Sequence, residues 1–161
     1  MSIDDYVKAW PAGLMKYELA PLISLPNQTS QFLQEVGLPL GREPEWIFDG
    51  IVHPLAQDVY AFGMHFVTQL ALDENGTVYE YDAGNMLFLN SGVEELAYCL
   101  TFRKKASRGR VKVQSEEDFR RFQQSILEID PKALTEGSYW ATMLTKLKRR
   151  CSKYDSSARI R

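Results

Sequence analysis

Two histidines, His53 and His65, two cysteines, Cys99 and Cys151, and the carboxylates Asp73, Glu74 and Asp82 are the side chains with which this 161-residue chain could do chemistry. Imidazole is the commonest metal ligand and general base, a thiolate is a nucleophile, and paired carboxylates carry acid–base work. The spacing supports none of these. There is no H-E-x-x-H, C-x-x-C, Gly-rich phosphate loop or G-x-S-x-G elbow, and two histidines make no His-rich metal site. His65 lies in an apolar strand region and reads as a packed histidine. Asp73, Glu74 and Asp82 fall in turns, where bonds to nearby backbone N–H groups account for them. Cys99 sits between Leu96 and Leu100 and reads as a small buried hydrophobe. Cys151, among Lys148, Arg149, Arg150 and Lys153, has no base beside it in sequence and reads as an incidental surface thiol. Two cysteines make no disulfide framework, which predicts a reducing cytoplasm. No metal and no cofactor is expected.

Charge says more about partners than the motifs do. The net charge is −2, but residues 1–100 carry 3 basic and 14 acidic side chains, while residues 101–161 carry 16 basic and 7 acidic. Such a split fits an acidic face for a basic partner, a basic face for phosphates or membrane, or two halves that complement each other within the fold. Asp49, Asp58, Asp73, Glu74, Glu80 and Asp82 are the candidate acidic face. The run Arg103 to Arg110, RKKASRGR, reads either as a phosphate patch or as cations at a helix C-terminus. It has no interleaved aromatics for base stacking, so no nucleic-acid partner is expected. The longest apolar stretch, 59–67, is short and interrupted by Gly63 and His65, so no membrane partner is expected. The first ten residues, MSIDDYVKAW, carry acids where a signal peptide needs bases, which argues against export.

The elements that would position these groups follow from periodicity. Residues 66–100 read as strand, turn, strand, turn, strand and helix, with residues 59–63 as the preceding strand. Asn75-Gly76 predicts a type I′ hairpin turn with positive φ at Gly76, and Asp82-Ala83-Gly84-Asn85 repeats the turn chemistry. Met86–Leu89 is apolar throughout and reads as a strand buried on both faces. Ser91 and Glu94 are spaced as a capping box ahead of Val93, Leu96, Ala97 and Leu100, one apolar helix face. Upstream, Ser2 caps a helix carrying Tyr6, Val7 and Trp10. Thr29-Ser30 caps another carrying Phe32, Leu33 and Val36, closed at Gly37. Residues 38–41 read as irregular chain and 45–52 as a strand broken at Asp49-Gly50. Downstream, Ser115 caps a helix with Phe119, Phe122, Ile126 and Ile129 on one face, and Asp130-Pro131 restarts the chain. Tyr139, Trp140, Met143, Leu144 and Leu147 face inward from the last helix. These pieces make an α+β domain over residues 1–154, a single antiparallel sheet of meander hairpins packed by flanking helices. Residues 155–161 read as a polar, frayed tail.

The order of FLQEVGLPLG (32–41), DENGTVYEYD (73–82), FLNSGVEELAYCL (88–100), IDPKAL (129–134) and Ser138-Tyr139-Trp140 resembles the SUKH (Smi1/Knr4-like) superfamily, most closely its SUKH-4 immunity-protein branch. The family's pattern falls on Phe32, Gly37, Pro39, Gly76, Val78, Asn90, Ser91 and Trp140, each of which also has a folding explanation. The resemblance implies the SUKH fold and a non-enzymatic protein. Its function would be that of a cytoplasmic antidote, which binds a cognate secreted toxin of nuclease or deaminase type and blocks its active site or a surface it needs. The resemblance carries over no toxin-contacting residue. An acidic first hundred residues suits a nuclease's basic cleft, because it would be steered there and compete with nucleic acid. Two other classes stay open: an intracellular scaffold or regulatory module, and a small-ligand or nucleotide-processing enzyme. A deep pocket lined by converging acids and His53 or His65 would favour the last.

Overall fold

Ser2 starts the fold. Its hydroxyl accepts from the Asp5 amide at 3.2 Å and opens α1 (Ile3–Ala9), whose first turn carries Asp4 and Asp5 at the positive end of the helix dipole. Tyr6 and Trp10 are buried, whereas Val7 faces solvent. The computed structural model describes residues 1–40, 45–107 and 116–158, with side chains over 1–40, 45–104 and 116–148. β1 (Leu14–Met15), β2 (Glu18–Leu19) and α2 (Asn27–Gln31) follow, and α2 widens into a π-helical turn at Phe32–Val36. That helix begins at Asn27 rather than at Thr29-Ser30, and no side chain caps it. Gly37 closes it with φ 87, its amide bonding back to Phe32 O at 2.8 Å. A Cβ at Gly37 would lie 2.2 Å from Met15 O, so the β1 backbone approaches too closely for any other residue.

β3 (Leu38–Pro39), β4 (Trp46–Ala56), β5 (Val59–His65), β6 (Thr68–Asp73), β7 (Val78–Asp82) and β8 (Asn85–Asn90) come next. The expected single antiparallel sheet needs correcting. β1 and β3 form a separate antiparallel pair, and β2 joins β4 in parallel, giving a mixed six-stranded sheet in the order β2-β4-β5-β6-β7-β8. Strands of two residues carry no periodicity to read, which is why 38–41 reads as irregular chain although β3 lies within it. β4 is continuous through Asp49-Gly50, accommodating the glycine as a bulge between Phe48 and His53. β8 is the sheet's edge strand, with Met86 exposed, rather than a strand buried on both faces.

Only the second of the two turns has the expected type I′ geometry. At residues 73–76 the Gly76 amide bonds to Asp73 O at 2.9 Å around Glu74-Asn75, and only Gly76 has positive φ, at 78°. Asp73 Oδ1 accepts from both the Asn75 and Thr77 amides, at 2.9 and 2.8 Å, which holds an ordinary turn followed by a left-handed glycine. The type I′ pattern, positive φ at both central residues, occurs instead at Ala83-Gly84.

α3 (Val93–Ser107), α4 (Glu116–Ile129), a 3-10 turn at Pro131–Leu134 and α5 (Tyr139–Ala158) complete the fold. Ser115 lies outside the described residues, and α5 continues into the segment read as a tail. The capping box does not form: Ser91 bonds to Asp130, while Glu94 Oε1 accepts from the Tyr98 hydroxyl at 2.7 Å. α3 buries two sides rather than one. Leu96, Ala97 and Leu100 meet the sheet cluster with Tyr6, Leu70 and Val78. Cys99 meets a second cluster with Phe119, Phe122, Ile126, Trp140 and Leu144.

Candidate functional site

One face of the sheet belongs to the helices, carrying Phe48, Leu70, Leu72 and Val78 into the core. The alternation of side chains along each strand puts the other set outward. Register aligns that set into a row across five strands: Ile47 opposite Met64, Met64 opposite Gln69, Gln69 opposite Tyr81, and Tyr81 opposite Met86. A second row runs His53, Ala61, Ala71, Tyr79 and Phe88. Ile47 is 38% and Met86 41% exposed, and Met64, Gln69, Tyr79, Tyr81 and Phe88 are half-buried. Tyr79 and Phe88 meet edge to face at 6.0 Å. The result is an apolar, aromatic and Met-containing surface, the composition that distinguishes the centre of a protein–protein interface.

The candidate carboxylates separate into three places. Asp58, at the β4–β5 turn, and Asp73 and Glu74, at the β6–β7 turn, share one end of the sheet, because Val59 pairs with Asp73. Asp49 points outward by alternation from β4, on the same face as Ile47. Asp82 stands at the opposite end. Glu80 points to the helix side, opposite Leu70 and Leu87. Asp73 is partly committed to its turn, and its second oxygen is 3.4 Å from the Tyr79 hydroxyl. Burial raises the Tyr79 phenol's pKa, and the Asp73 charge adds to the effect.

On the helix side a cleft of about 920 Å³ opens between the sheet and α5, with Leu87, Phe122, Met143 and Leu147 among its lining residues. At its floor His65, 4% exposed, stacks on Trp46 at 4.0 Å and meets Tyr139 edge to face at 5.2 Å. His65 Nδ1 bonds to the Glu80 carboxylate. Since a carboxylate only accepts, that bond puts the proton on Nδ1. His65 Nε2 and Trp46 Nε1 are buried, and neither has a hydrogen-bond partner among the described residues. Glu45 pairs with Arg103 beside the cleft. Burial pushes the Tyr139 phenol's pKa up, Arg103 pulls it back and Glu80 adds to the rise. His65 is therefore the packed residue its sequence context predicts, but its bond to Glu80 was not legible. The two residues are 15 apart, and only the register of β5 and β7 brings them together.

Of the remaining candidates Cys99 and Lys104 have structural roles, and the Cys151 side chain lies outside those described. His53 is exposed on β4, and burial raises the thiol pKa of Cys99, leaving it protonated. Lys104 lies 3.4 Å over the Trp10 ring and is buried. The basic run thus begins as the last turn of α3 with two cations already engaged, and its remainder lies outside the described side chains. Among the described residues, no group of three or more His, Cys, Asp or Glu side chains could hold a metal ion, and no helix is long and apolar enough to cross a membrane.

The family pattern also acquires geometry. Asn90 donates to Asp130 at 3.0 Å, Ser91 reaches the same carboxylate through its amide and its hydroxyl, and the Trp140 indole donates to Asn90 Oδ1 at 2.9 Å. These are three of the eight positions on which the resemblance rests. No curated protein and no solved structure matches the chain. The family model described as SUKH-4 immunity protein matches residues 15–146. The chain therefore belongs to the SUKH-4 immunity protein family.

Proposed function

We propose that this protein is a cytoplasmic antidote that binds a cognate toxin of nuclease or deaminase type in a one-to-one complex and neutralises it by occlusion, without turnover. The family match over residues 15–146 carries this reading. The outward row Ile47–Met64–Gln69–Tyr81–Met86 supports the open sheet face as the contact. Half-exposed aromatic and thioether side chains supply desolvatable area there. Asp49 on the same face, with Asp58 and Glu74 at its end, gives that area an acidic border suited to a phosphate-seeking, basic surface. Tagged protein purified from its native host, with mass spectrometry of the bound material, tests the reading. One stoichiometric partner with nuclease or deaminase activity that the complex suppresses is the expected result. A partner that stays active when saturated would contradict neutralisation by occlusion.

A further inference from the structure

We propose that the cleft between the sheet and α5 is a second site, which binds an uncharged aromatic molecule bearing one N–H or O–H donor. The donor requirement comes from His65, which lines the cleft together with Glu80. Its Nδ1 donates to the Glu80 carboxylate, so its Nε2 is an acceptor. That nitrogen is buried, in a residue 4% exposed, and has no hydrogen-bond partner among the described residues. A buried acceptor left unpaired costs free energy, and a guest that donates to it recovers that cost. A guest that can only accept meets a lone pair there and gains nothing.

Charge and shape complete the class. The lining sets two acids, Glu45 and Glu80, against two bases, Arg103 and Lys146, so beside a neutral imidazole neither sign of charge is favoured in a guest. His65 stands among rings: Trp46 stacks on it at 4.0 Å, Phe66 lies at 4.6 Å and Tyr139 meets it edge to face at 5.2 Å. Phe122 adds a further ring to the lining. Such walls suit an aromatic body, and about 920 Å³ holds one. Of the three rings around His65 only Phe66 is exposed, in the two-residue turn between β5 and β6, where it sits at φ 52. A bulky residue in the left-handed region is strained, and turning its ring aside to reach Nε2 uncovers little of the core. This site is distinct from the proposed toxin contact, since the cleft opens on the helix side and the row through Tyr81 lies on the other face.

Titration of the full chain with 5-fluoroindole, read by fluorine NMR, tests the proposal. Saturable binding at one site per chain is expected. The N-methyl derivative of the same probe, which has no N–H, should bind at least tenfold more weakly, and 5-fluoroindole-3-acetate, which carries a negative charge, should bind no more tightly. His65→Phe keeps a ring and removes the acceptor, so it should abolish the preference for the N–H probe over its N-methyl derivative. Thr142→Trp, at an exposed position on the cleft lining, should weaken 5-fluoroindole at least tenfold, and Tyr81→Asp on the opposite face should leave it unchanged. Should His65→Phe fail to fold, the parent's discrimination between the two probes and the loss in Thr142→Trp decide. No saturable binding, equal affinity for the N-methyl probe, tighter binding of the acetate, a preference that survives in folded His65→Phe, full affinity in Thr142→Trp, or loss in Tyr81→Asp overturns the proposal.

Discussion

The Trp140 indole donates to Asn90 Oδ1 at 2.9 Å, joining α5 to the end of β8 through two fully buried side chains. Asn90 passes the connection on to Asp130, which also accepts from the Ser91 amide at 2.7 Å, the Ser91 hydroxyl at 2.9 Å and the Lys132 amide at 3.1 Å. One carboxylate, 1% exposed, thus fixes the exit of β8, the start of α3 and the 3-10 turn before α5. Asp130→Ala strands several buried donors at once and should cost about 3 kcal/mol or more in urea unfolding. Trp140→Phe should cost about 2 kcal/mol by orphaning Asn90 Oδ1 and leaving space. The double variant should cost clearly less than the two losses combined, because both act on one network. Simple additivity would mean that the two bonds are independent.

How much of this was legible depends on distance along the chain. Asp130 reads as a cap from sequence, and it does accept from the Lys132 amide. Its bonds to Asn90 and Ser91, 40 and 39 residues away, leave no local trace, and they draw Ser91 away from the capping box it is spaced to form. The meander of β5 to β8 was readable because alternation and turn residues agree. The mixed edge was not, because β2 pairs through two residues only. For the candidate site, the acidic residues were legible as a charge excess but not as a surface. Alternation sends Glu80 to the helix side and Asp49 outward, and pairing across β5 gathers Asp58 with Asp73.

Gly76 tests the central hairpin. Its φ of 78 suits glycine, and an added Cβ would lie 2.4 Å from Thr29 Oγ1, a buried side chain. Gly76→Val should therefore lower stability by about 2 kcal/mol or more, combining backbone strain with the clash. An unchanged melting midpoint would contradict the turn geometry.

Glu95 gives a pH dependence with a defined sign. Burial raises its pKa, as do Asp130 and Glu94, while its own backbone amide lowers it. A carboxyl whose pKa is raised in the folded state costs stability when ionised, and the cost disappears as pH falls through the folded pKa towards the unfolded value. Glu95→Gln should melt higher than the parent at pH 7. That advantage should vanish near pH 4, about the unfolded value for a glutamate. A lower midpoint for the variant at pH 7 would show that the charge is welcome at the start of α3.

If the acidic border steers the toxin, the association rate should fall as salt rises from about 50 to about 500 mM, where the screening length shrinks from roughly 14 Å to roughly 4 Å. The dissociation rate should change much less. Glu74→Lys, exposed at the hairpin tip, should slow capture without changing stability. Asp73 is unsuitable for this test because it holds the turn, and Lys104 because it covers Trp10. A salt-independent association rate would remove steering from the account.

The open sheet face is the central claim, and the affinity of the Tyr81→Asp variant for the purified toxin tests it most directly. Tyr81 stands in the middle of the outward row and is half-exposed, so the substitution can be made without opening the core. We expect at least a hundredfold weaker Kd with a melting midpoint close to the parent's, and a Met143→Trp variant in the cleft that binds the toxin like the parent. Parental affinity in well-folded Tyr81→Asp, with loss in Met143→Trp, would contradict the account and move the toxin contact to the cleft.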